Sequence, residues 1–458
     1  MKRVLLAASL LCTMVACKKD TETTAGTTTS TTSAIDCSAT ALSTVAFANT
    51  GTAQTTTLTV GLSNATAGAV TFNLVSSGSD FTPTTYTTTL TAGQTTVAIP
   101  LSFDGTSTLT SETITVSAAS GYSGSCTAAA TIGATASSCA SATTPVAKVL
   151  CAIDAFKATL TTTQQAAVQF DYLQANAIKW SNLPCGAQCR EGLQFSTLTT
   201  AQVAAAKAVV AAATGTVSDE GYSEAMQILA ADDVLQATAG GSTYSSGNYF
   251  IAFVGTPSLT GTWQLQFGGH HLAVNTTYKN GVVAGATPVF EGVEPKTWTT
   301  NGVTYAPLAS EQATMAAMLG SLTTAQLASA KLGQTFSDVV LGPNNDGKFP
   351  ATKVGVAVST LSTAQQALVL AAMKPWVTDT DDVTAATLLA TYQSELANTY
   401  IAYSGNATLA NNADYVRIDG PSVWIEFVCQ SGVVYQNQIH YHSVWRDHTR
   451  DYGNSFTF

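Results

Sequence analysis

Val423-Trp-Ile-Glu-Phe-Val-Cys429 and, beyond Gln430-Ser431-Gly432, the run from Val433 to Trp445 read as the two strands of a hairpin. Both runs are rich in β-branched and aromatic residues, and Gly432 sits at the turn. Three further runs upstream, Tyr249-Phe-Ile-Ala-Phe-Val254, Gly261-Thr-Trp-Gln-Leu-Gln-Phe267 and His271 to Tyr278, read as a meander. Alanine-rich stretches lie between these clusters of strands. Strand clusters with helices gathered around them predict an α+β domain over residues 145–458, an antiparallel sheet with surrounding Ala-rich helices.

The helices announce their own starts. Leu160-Thr-Thr-Thr-Gln164, Leu198-Thr-Thr-Ala-Gln202, Leu322-Thr-Thr-Ala-Gln326 and Leu361-Ser-Thr-Ala-Gln365 share one form. The Thr or Ser after each Leu can serve as N-cap, and Gln then falls at N3, which completes a capping box. The Leu before the cap can staple onto Val203 or Leu327 in the second and third copies. Unequal spacing of the four argues against a helical solenoid and for recurrent capping.

Upstream the pattern changes. From residue 36 to 137 short runs such as Thr57-Leu-Thr-Val-Gly-Leu62, Val70-Thr-Phe-Asn-Leu-Val75 and Glu112-Thr-Ile-Thr-Val116 alternate apolar residues with Thr. Gly, Asn, Asp and Ser punctuate them, which predicts an all-β sandwich. It resembles the immunoglobulin-like or Calx-β-like modules of cell-surface proteins, for which a spacer role is expected. Residues 17–35 are mostly Thr, Ser, Ala and Gly and read as a flexible tether. Residues 1–16 read as a lipoprotein signal peptide: Lys2-Arg3, a short apolar core, then Met14-Val15-Ala16-Cys17. That ending resembles a lipobox, so Cys17 is the expected lipidation site. The expected location is extracytoplasmic, anchored in the outer membrane or at the cell surface, with the membrane itself as a partner.

The chain has 458 residues, enough for two or three domains. Only 10% are charged, the net charge is −10 and there is no basic run, so nucleic acid is not an expected partner. Seven of the nine cysteines lie beyond Cys17. Outside the cytoplasm disulfides are expected, and Cys37 with Cys126, Cys139 with Cys151 and Cys185 with Cys189 are the candidate pairs. Spacing alone does not fix that connectivity. Cys429 is left as a buried thiol, and a zinc site at Cys185–Cys189 lacks a second cysteine pair.

The histidines carry the functional reading. All five fall in two short stretches, His270 and His271 in one, His440, His442 and His448 in the other. Alternate residues of a strand share a face, so His440 and His442 project together. His271 is the better candidate to meet them, with His270 and Asn275 as substrate contacts. Three neutral imidazoles on one point suit zinc, copper or iron. Glu426 on the neighbouring strand is a candidate ligand or base. Arg446 is a candidate clamp for an anionic group and Asp447 or Asp451 a candidate to orient a histidine, against a reading of Arg446, Asp447, Arg450 and Asp451 as a surface salt-bridge network. Arg417, with Ile418 and Asp419, and Phe290-Glu-Gly-Val-Glu-Pro295 read as further polar loops, and Arg417 is a third candidate substrate contact.

Phe267-Gly-Gly-His-His-Leu-Ala-Val-Asn-Thr276, Asp419-Gly-Pro-Ser-Val-Trp-Ile-Glu-Phe427 and His442-Ser-Val-Trp-Arg-Asp-His-Thr-Arg-Asp-Tyr-Gly453 resemble the family called domain of unknown function 3500. The likeness covers about residues 145–458 and implies a secreted or lipid-anchored bacterial protein without naming a reaction. The residues themselves favour a metal-dependent enzyme, most simply a hydrolase of a small-molecule or polymer substrate. The rivals are a non-catalytic surface protein that binds a metal or ligand, and a purely structural one. No nucleophile elbow, Walker loop, Rossmann fingerprint or His-Glu-x-x-His helix is present in the sequence.

Overall fold

The structure, a computed structural model, describes residues 33–42, 47, 48, 53–105, 107, 111–118, 121–133, 139 and 142–458. The stretch read as a signal peptide, Cys17 and the stretch read as a tether up to residue 32 lie outside the described residues. The first strand, Ala34–Leu42, begins inside the stretch read as tether, because Ser33 and Ile35 are buried and Ala34 and Ile35 pair with Ser63 and Leu62.

The N-terminal region is all-β. Ala34–Leu42, Gln54–Ser63, Thr96–Phe103 and Phe81–Thr82 make one sheet in that order; Phe47–Ala48, Ser125–Gly133, Ser111–Ala118, Gly68–Ser76 and Thr85–Leu90 make another. Alternation turns Leu58, Val60, Ile99 and Phe103 of the first toward Phe72, Ile114 and Val116 of the second, and all seven are buried in one cluster. A Cys37–Cys126 disulfide links the two sheets. Cys139 bonds Cys151.

A separate core holds the rest of the chain. Its elements are α1 (Pro145–Ala158), α2 (Thr162–Ala167), β1 (Gln169–Phe170), β2 (Leu193–Gln194), α3 (Thr200–Ala213), α4 (Tyr222–Ala239), β3 (Phe250–Val254), β4 (Thr262–Gly269), β5 (Leu272–Lys279) and β6 (Val289–Val293). There follow α5 (Ala309–Gly320), α6 (Thr324–Ala330), β7 (Val356–Ala357), α7 (Thr363–Thr378), α8 (Asp382–Glu395), β8 (Tyr400–Ser404), β9 (Tyr415–Asp419), β10 (Val423–Ser431) and β11 (Ile439–Asp447). One large sheet runs β1-β3-β4-β5-β6-β11-β10-β9-β8-β7, antiparallel apart from the β1–β3 pair. The domain is therefore α+β. Both faces of the sheet are covered, which is why β3 and β10 read as near-continuous apolar runs.

All four Leu-(Thr/Ser)-x-x-Gln motifs form capping boxes. They come as two pairs. Gln164 and Gln202, 38 residues apart, hydrogen-bond each other, and so do Gln326 and Gln365, 39 apart. Downstream of each pair Tyr249-Phe-Ile-Ala-Phe-Val-Gly255 and Thr399-Tyr-Ile-Ala-Tyr-Ser-Gly405 form equivalent strands. Gly192 and Gly355 precede β2 and β7 with φ of +96° and +108°, and a Cβ on either would fall 2.1 Å from the carbonyl oxygen of Ile251 or Ile401. The unequal spacing of the four motifs thus conceals a duplication: α1 to β6 and α5 to β11 are two copies of one unit. They join along β6 and β11, where Gly292 faces His442 in the register, and through the links at Thr214 and Thr380.

Two sequence expectations are corrected. The β10–β11 connection spans residues 432–438 rather than three residues, held by Glu294, whose Oε1 accepts from the amides of Val434 and Tyr435. Phe290-Glu-Gly-Val293 is strand β6, not a loop, because it fills the gap between the two repeats.

Candidate metal centre

His270 and His271 form the turn between β4 and β5, whose last pair is Gly269 with Leu272. His271 takes a left-handed φ of +63°, a conformation with a local cost that its surroundings must offset. The restraints are visible. The His271 amide donates to the Asn182 carbonyl at 3.0 Å, and the Tyr249 hydroxyl donates to the His270 carbonyl at 2.6 Å. Arg190 donates to the carbonyls of Gly269, Ser181 and Leu183. The Gly268-Gly269 pair makes room for this packing: a Cβ at 268 would lie 2.4 Å from the Leu272 oxygen, and one at 269 would enter the Tyr249 ring.

On β11, His440 and His442 share a face, with their Nε2 atoms 3.3 Å apart. Ligand atoms of His271, His440 and His442 all lie within 4.8 Å of one another. Gly292 makes this approach possible, since a Cβ there would sit 3.0 Å from the His442 ring and 3.1 Å from the His271 ring. All three imidazoles are buried. Burial and then the neighbouring imidazoles push His271 well below the usual histidine range; the same causes push His440 down to about 3. Both rings are thus neutral at physiological pH, the form in which imidazole binds metals.

Two carboxylates aim the rings. Asp338, in the loop between α6 and β7, bonds His442 Nδ1 at 2.9 Å, which leaves Nε2 for the centre. Burial opposes ionisation of Asp338, but the hydrogen bond and charge of His442 outweigh it and hold the carboxyl below its usual range. Asp232, on α4, bonds His270 Nδ1 at 2.7 Å. The His270 ring lies 3.7 Å from that of His271, centroid to centroid, and Tyr244 covers its other side at 4.9 Å. Three imidazole nitrogens, that of His442 oriented by a carboxylate, are a donor set that suits a borderline transition-metal ion.

Other residues singled out from the sequence are elsewhere. Glu426 is saturated: its carboxylate accepts from the amides of Val340 and Leu341, the Tyr415 hydroxyl and the Trp424 indole, so it has no lone pair aimed at the histidines. Arg446 is not a substrate clamp. It is fully buried, paired with Asp346 and Asp451, bonded to the Leu341 carbonyl and within cation–π distance of Trp180 and Tyr452. Asp451 serves Arg446 and the Asp447 amide. Asp447 points to the other face of β11, where it accepts from Tyr392, Thr449 and Arg450. Neither aspartate orients a histidine. These four form a network, as the rival reading had it, but Arg446, Asp447 and Asp451 lie inside rather than on the surface. Arg417 packs over Trp424, Asn275 donates to the Pro288 carbonyl, and His448 bonds Asp419 at 3.2 Å. Cys185 and Cys189 form a disulfide, which excludes zinc there, and burial pushes the Cys429 thiol up to about 12.

Asp232 and Asp338 were missed. For Asp232 a signal exists: Ala225, Ile228, Leu229 and Leu235 make the buried stripe of α4, and an aspartate stands in that stripe. Asp338 sits in an irregular loop and carries no such mark. A cavity of about 430 Å³ opens beside Trp445, Asp447 and Arg450, on the far side of the sheet from the imidazoles.

Among the described residues no helix is long and apolar enough to cross a membrane. No curated protein and no solved structure matches the chain significantly. The model of one family, described as a protein of unknown function (DUF3500), matches residues 142–454, the whole of the duplicated domain up to its last turn, and the chain belongs to that family.

Proposed function

We propose that this protein is an extracytoplasmic metal-dependent enzyme, most simply a hydrolase, anchored by a lipid on Cys17 at the outer membrane or cell surface. His271, His440 and His442 hold the ion. The observation that carries the reading is the 3.3 Å between Nε2 of His440 and Nε2 of His442. Two nitrogens about 2.05 Å from one ion at a tetrahedral angle stand about 3.3 Å apart. Bound there, an ion of the zinc class supplies Lewis acidity and makes water a usable nucleophile at neutral pH.

The chain's own residues supply the proton handling. Asp232 fixes the tautomer of His270 by taking its Nδ1–H, so His270 Nε2 is the atom that accepts a proton from water and returns it to a leaving group. Asp338 performs the matching service for His442. Glu426 takes no part, since its four donors hold it in place. The cysteines Cys37, Cys126, Cys139, Cys151, Cys185 and Cys189, bonded in pairs, support an oxidising compartment.

A second reading is a non-catalytic metal-binding surface protein. It draws on the burial of the three histidines, each at most 6% exposed, since closed sites are more often structural. Turnover separates the two. A panel of esters, phosphoesters, glycosides and amides is offered to metal-loaded wild type and to Asp232→Asn. The enzyme reading expects hydrolysis of one class that falls at least a hundredfold in the variant while metal content is unchanged. Stoichiometric metal without turnover on any class sinks the catalytic reading and leaves the binder.

A further inference from the structure

A second cluster lies on the opposite face of the sheet, under the helices. Glu220 precedes α4 and Glu224 is in its first turn; Glu291 is on β6, Glu311 in the first turn of α5, and Asp379 links α7 to α8. All five are buried, and oxygens of Glu220, Glu224 and Asp379 lie within 4.8 Å of one another. Glu311 and Glu291 lie near enough to act on Glu224, and Asp379 acts on both of them.

The donors are few. Asp379 Oδ1 accepts from the Gly221 amide at 2.6 Å, and Ser310 serves Glu220. Among the described residues, both oxygens of Glu224, both of Glu311, Glu220 Oε2, Glu291 Oε2 and Asp379 Oδ2 have no N–H or hydroxyl donor; the carboxyls of Glu220 and Glu311, and of Asp379 with Glu291 and Glu224, stand against one another instead. None of the five is in an ion pair there, and Lys374, the one cation acting on Glu220, is exposed. Buried carboxylates without donors must be neutralised by protons or by a cation. The fully buried Glu311 is the independent sign of a ligand, because neither of its oxygens has an N–H or hydroxyl donor while its carboxyl stands against that of Glu220, a member of the Glu220–Glu224–Asp379 triad. The donor set is all oxygen and all anionic, without a single nitrogen or sulfur. That composition selects a hard cation with many oxygen ligands.

We propose that Glu220, Glu224, Glu291, Glu311 and Asp379 form a second metal site, for a hard divalent cation of the calcium class, which ties the two repeats together. Glu220 and Glu224 belong to the first repeat, Glu311 and Asp379 to the second, and Glu291 lies on the strand at their junction. The site is independent of the histidine centre and selects the opposite type of ion.

The test uses full-length protein stripped with EDTA, then titrated with calcium while heat of binding and Tm are followed, with magnesium and zinc for comparison. Calcium binds at one site or two adjacent ones, and at about a hundred times its Kd the Tm rises by several degrees. Glu224→Gln and Glu311→Gln abolish that rise, whereas the His440→Ala/His442→Ala protein keeps it. A wild type whose heat and Tm ignore calcium, magnesium and manganese overturns the proposal without any variant having to fold. So does a Glu311→Gln protein that is more stable than wild type in EDTA and in calcium alike. That outcome marks carboxyls that share protons.

Discussion

The two repeats keep the same supports and differ in what those supports present. In the first, Arg190 donates to the Gly269 carbonyl beneath the β4–β5 turn; in the second, Lys353 donates to the Gly420 carbonyl beneath the β9–β10 turn. Each cation stands two residues before a left-handed glycine, Gly192 or Gly355. Above them the first turn carries His270-His271 and the second Pro421-Ser422. Ser422 is held by Glu395 through its amide and hydroxyl and reaches no imidazole cluster. The scaffold is therefore doubled while the chemistry is single. The centre is still a joint product, because His440 and His442 stand on the last strand of the second repeat. A site on a seam depends on both copies being intact.

The sharpest test of that asymmetry removes the two supporting cations. Arg190 is 6% exposed, and burial brings its guanidinium down to about 10, so it is charged at neutral pH. Arg190→Ala removes a shared donor from the carbonyls of Ser181, Leu183 and Gly269, of which Leu183 keeps the Cys185 amide, and should cost about 3 kcal/mol. Lys353→Ala leaves the buried Asp419 with His448 as its remaining side-chain partner and should cost a similar amount, about 2–3 kcal/mol in denaturant unfolding. Only Arg190→Ala is expected to lower the bound transition metal, since only its turn carries ligands. Equal metal loss in both variants would show that the repeats act as one body and not through their turns.

Acidity separates the two clusters. In metal-free protein the Asp379 carboxyl, raised by burial and then by Glu220 to about 7, keeps its proton well above the pH at which it would lose it unfolded. Glu220, Glu224, Glu291 and Glu311 are shifted the same way. Groups raised in the folded state contribute stability that is complete below about pH 4 and fades as pH climbs through their folded values. His271 and His440 have the opposite sign: lowered in the folded state, they cost stability as pH falls below about 6.5. Urea midpoints in EDTA from pH 5 to 8 should therefore decline at the alkaline end, and calcium should remove that decline while zinc does not. A decline that calcium leaves untouched would assign it to other groups.

Smaller effects follow at single positions. Asp338→Asn replaces the anionic acceptor of His442 Nδ1–H with a neutral amide oxygen and should weaken metal binding about 10- to 100-fold with little change in stability. Thr199→Ala and Ser362→Ala remove equivalent caps and should each cost about 1 kcal/mol. Unequal costs there would mean that the repeats differ in their scaffold and not only at the turn.

Much of this was legible in the chain. The capping boxes stand out because a cap needs a fixed residue at a fixed offset, and the two histidine clusters because five such residues gathered in two places. The duplication was hidden because loops of different length separate equivalent elements, so likeness survives only in short pieces: the paired capping boxes, Gly192/Gly355 and the Ile-Ala strands. Asp232 was overlooked although an acid in an apolar helical stripe is unusual. The role of Glu426 was misread because sequence shows a carboxylate beside the histidines but not the four donors that occupy it. Arg446 was misread for the same reason: Asp451 stands beside it in the sequence, but Asp346, which completes its pairing, comes from a segment 100 residues upstream. The carboxylate cluster is drawn from positions 220 to 379, a span over which no motif can be seen.

The account rests on an ion shared by His271, His440 and His442. The direct measurement is elemental analysis with X-ray absorption at the metal edge, on protein purified without chelator and reloaded with zinc, copper or iron. Wild type is expected to hold about one such ion per chain with nitrogen ligands at about 2.0–2.1 Å, and His440→Ala/His442→Ala none. A wild type that keeps no stoichiometric transition metal after reloading with all three would contradict it.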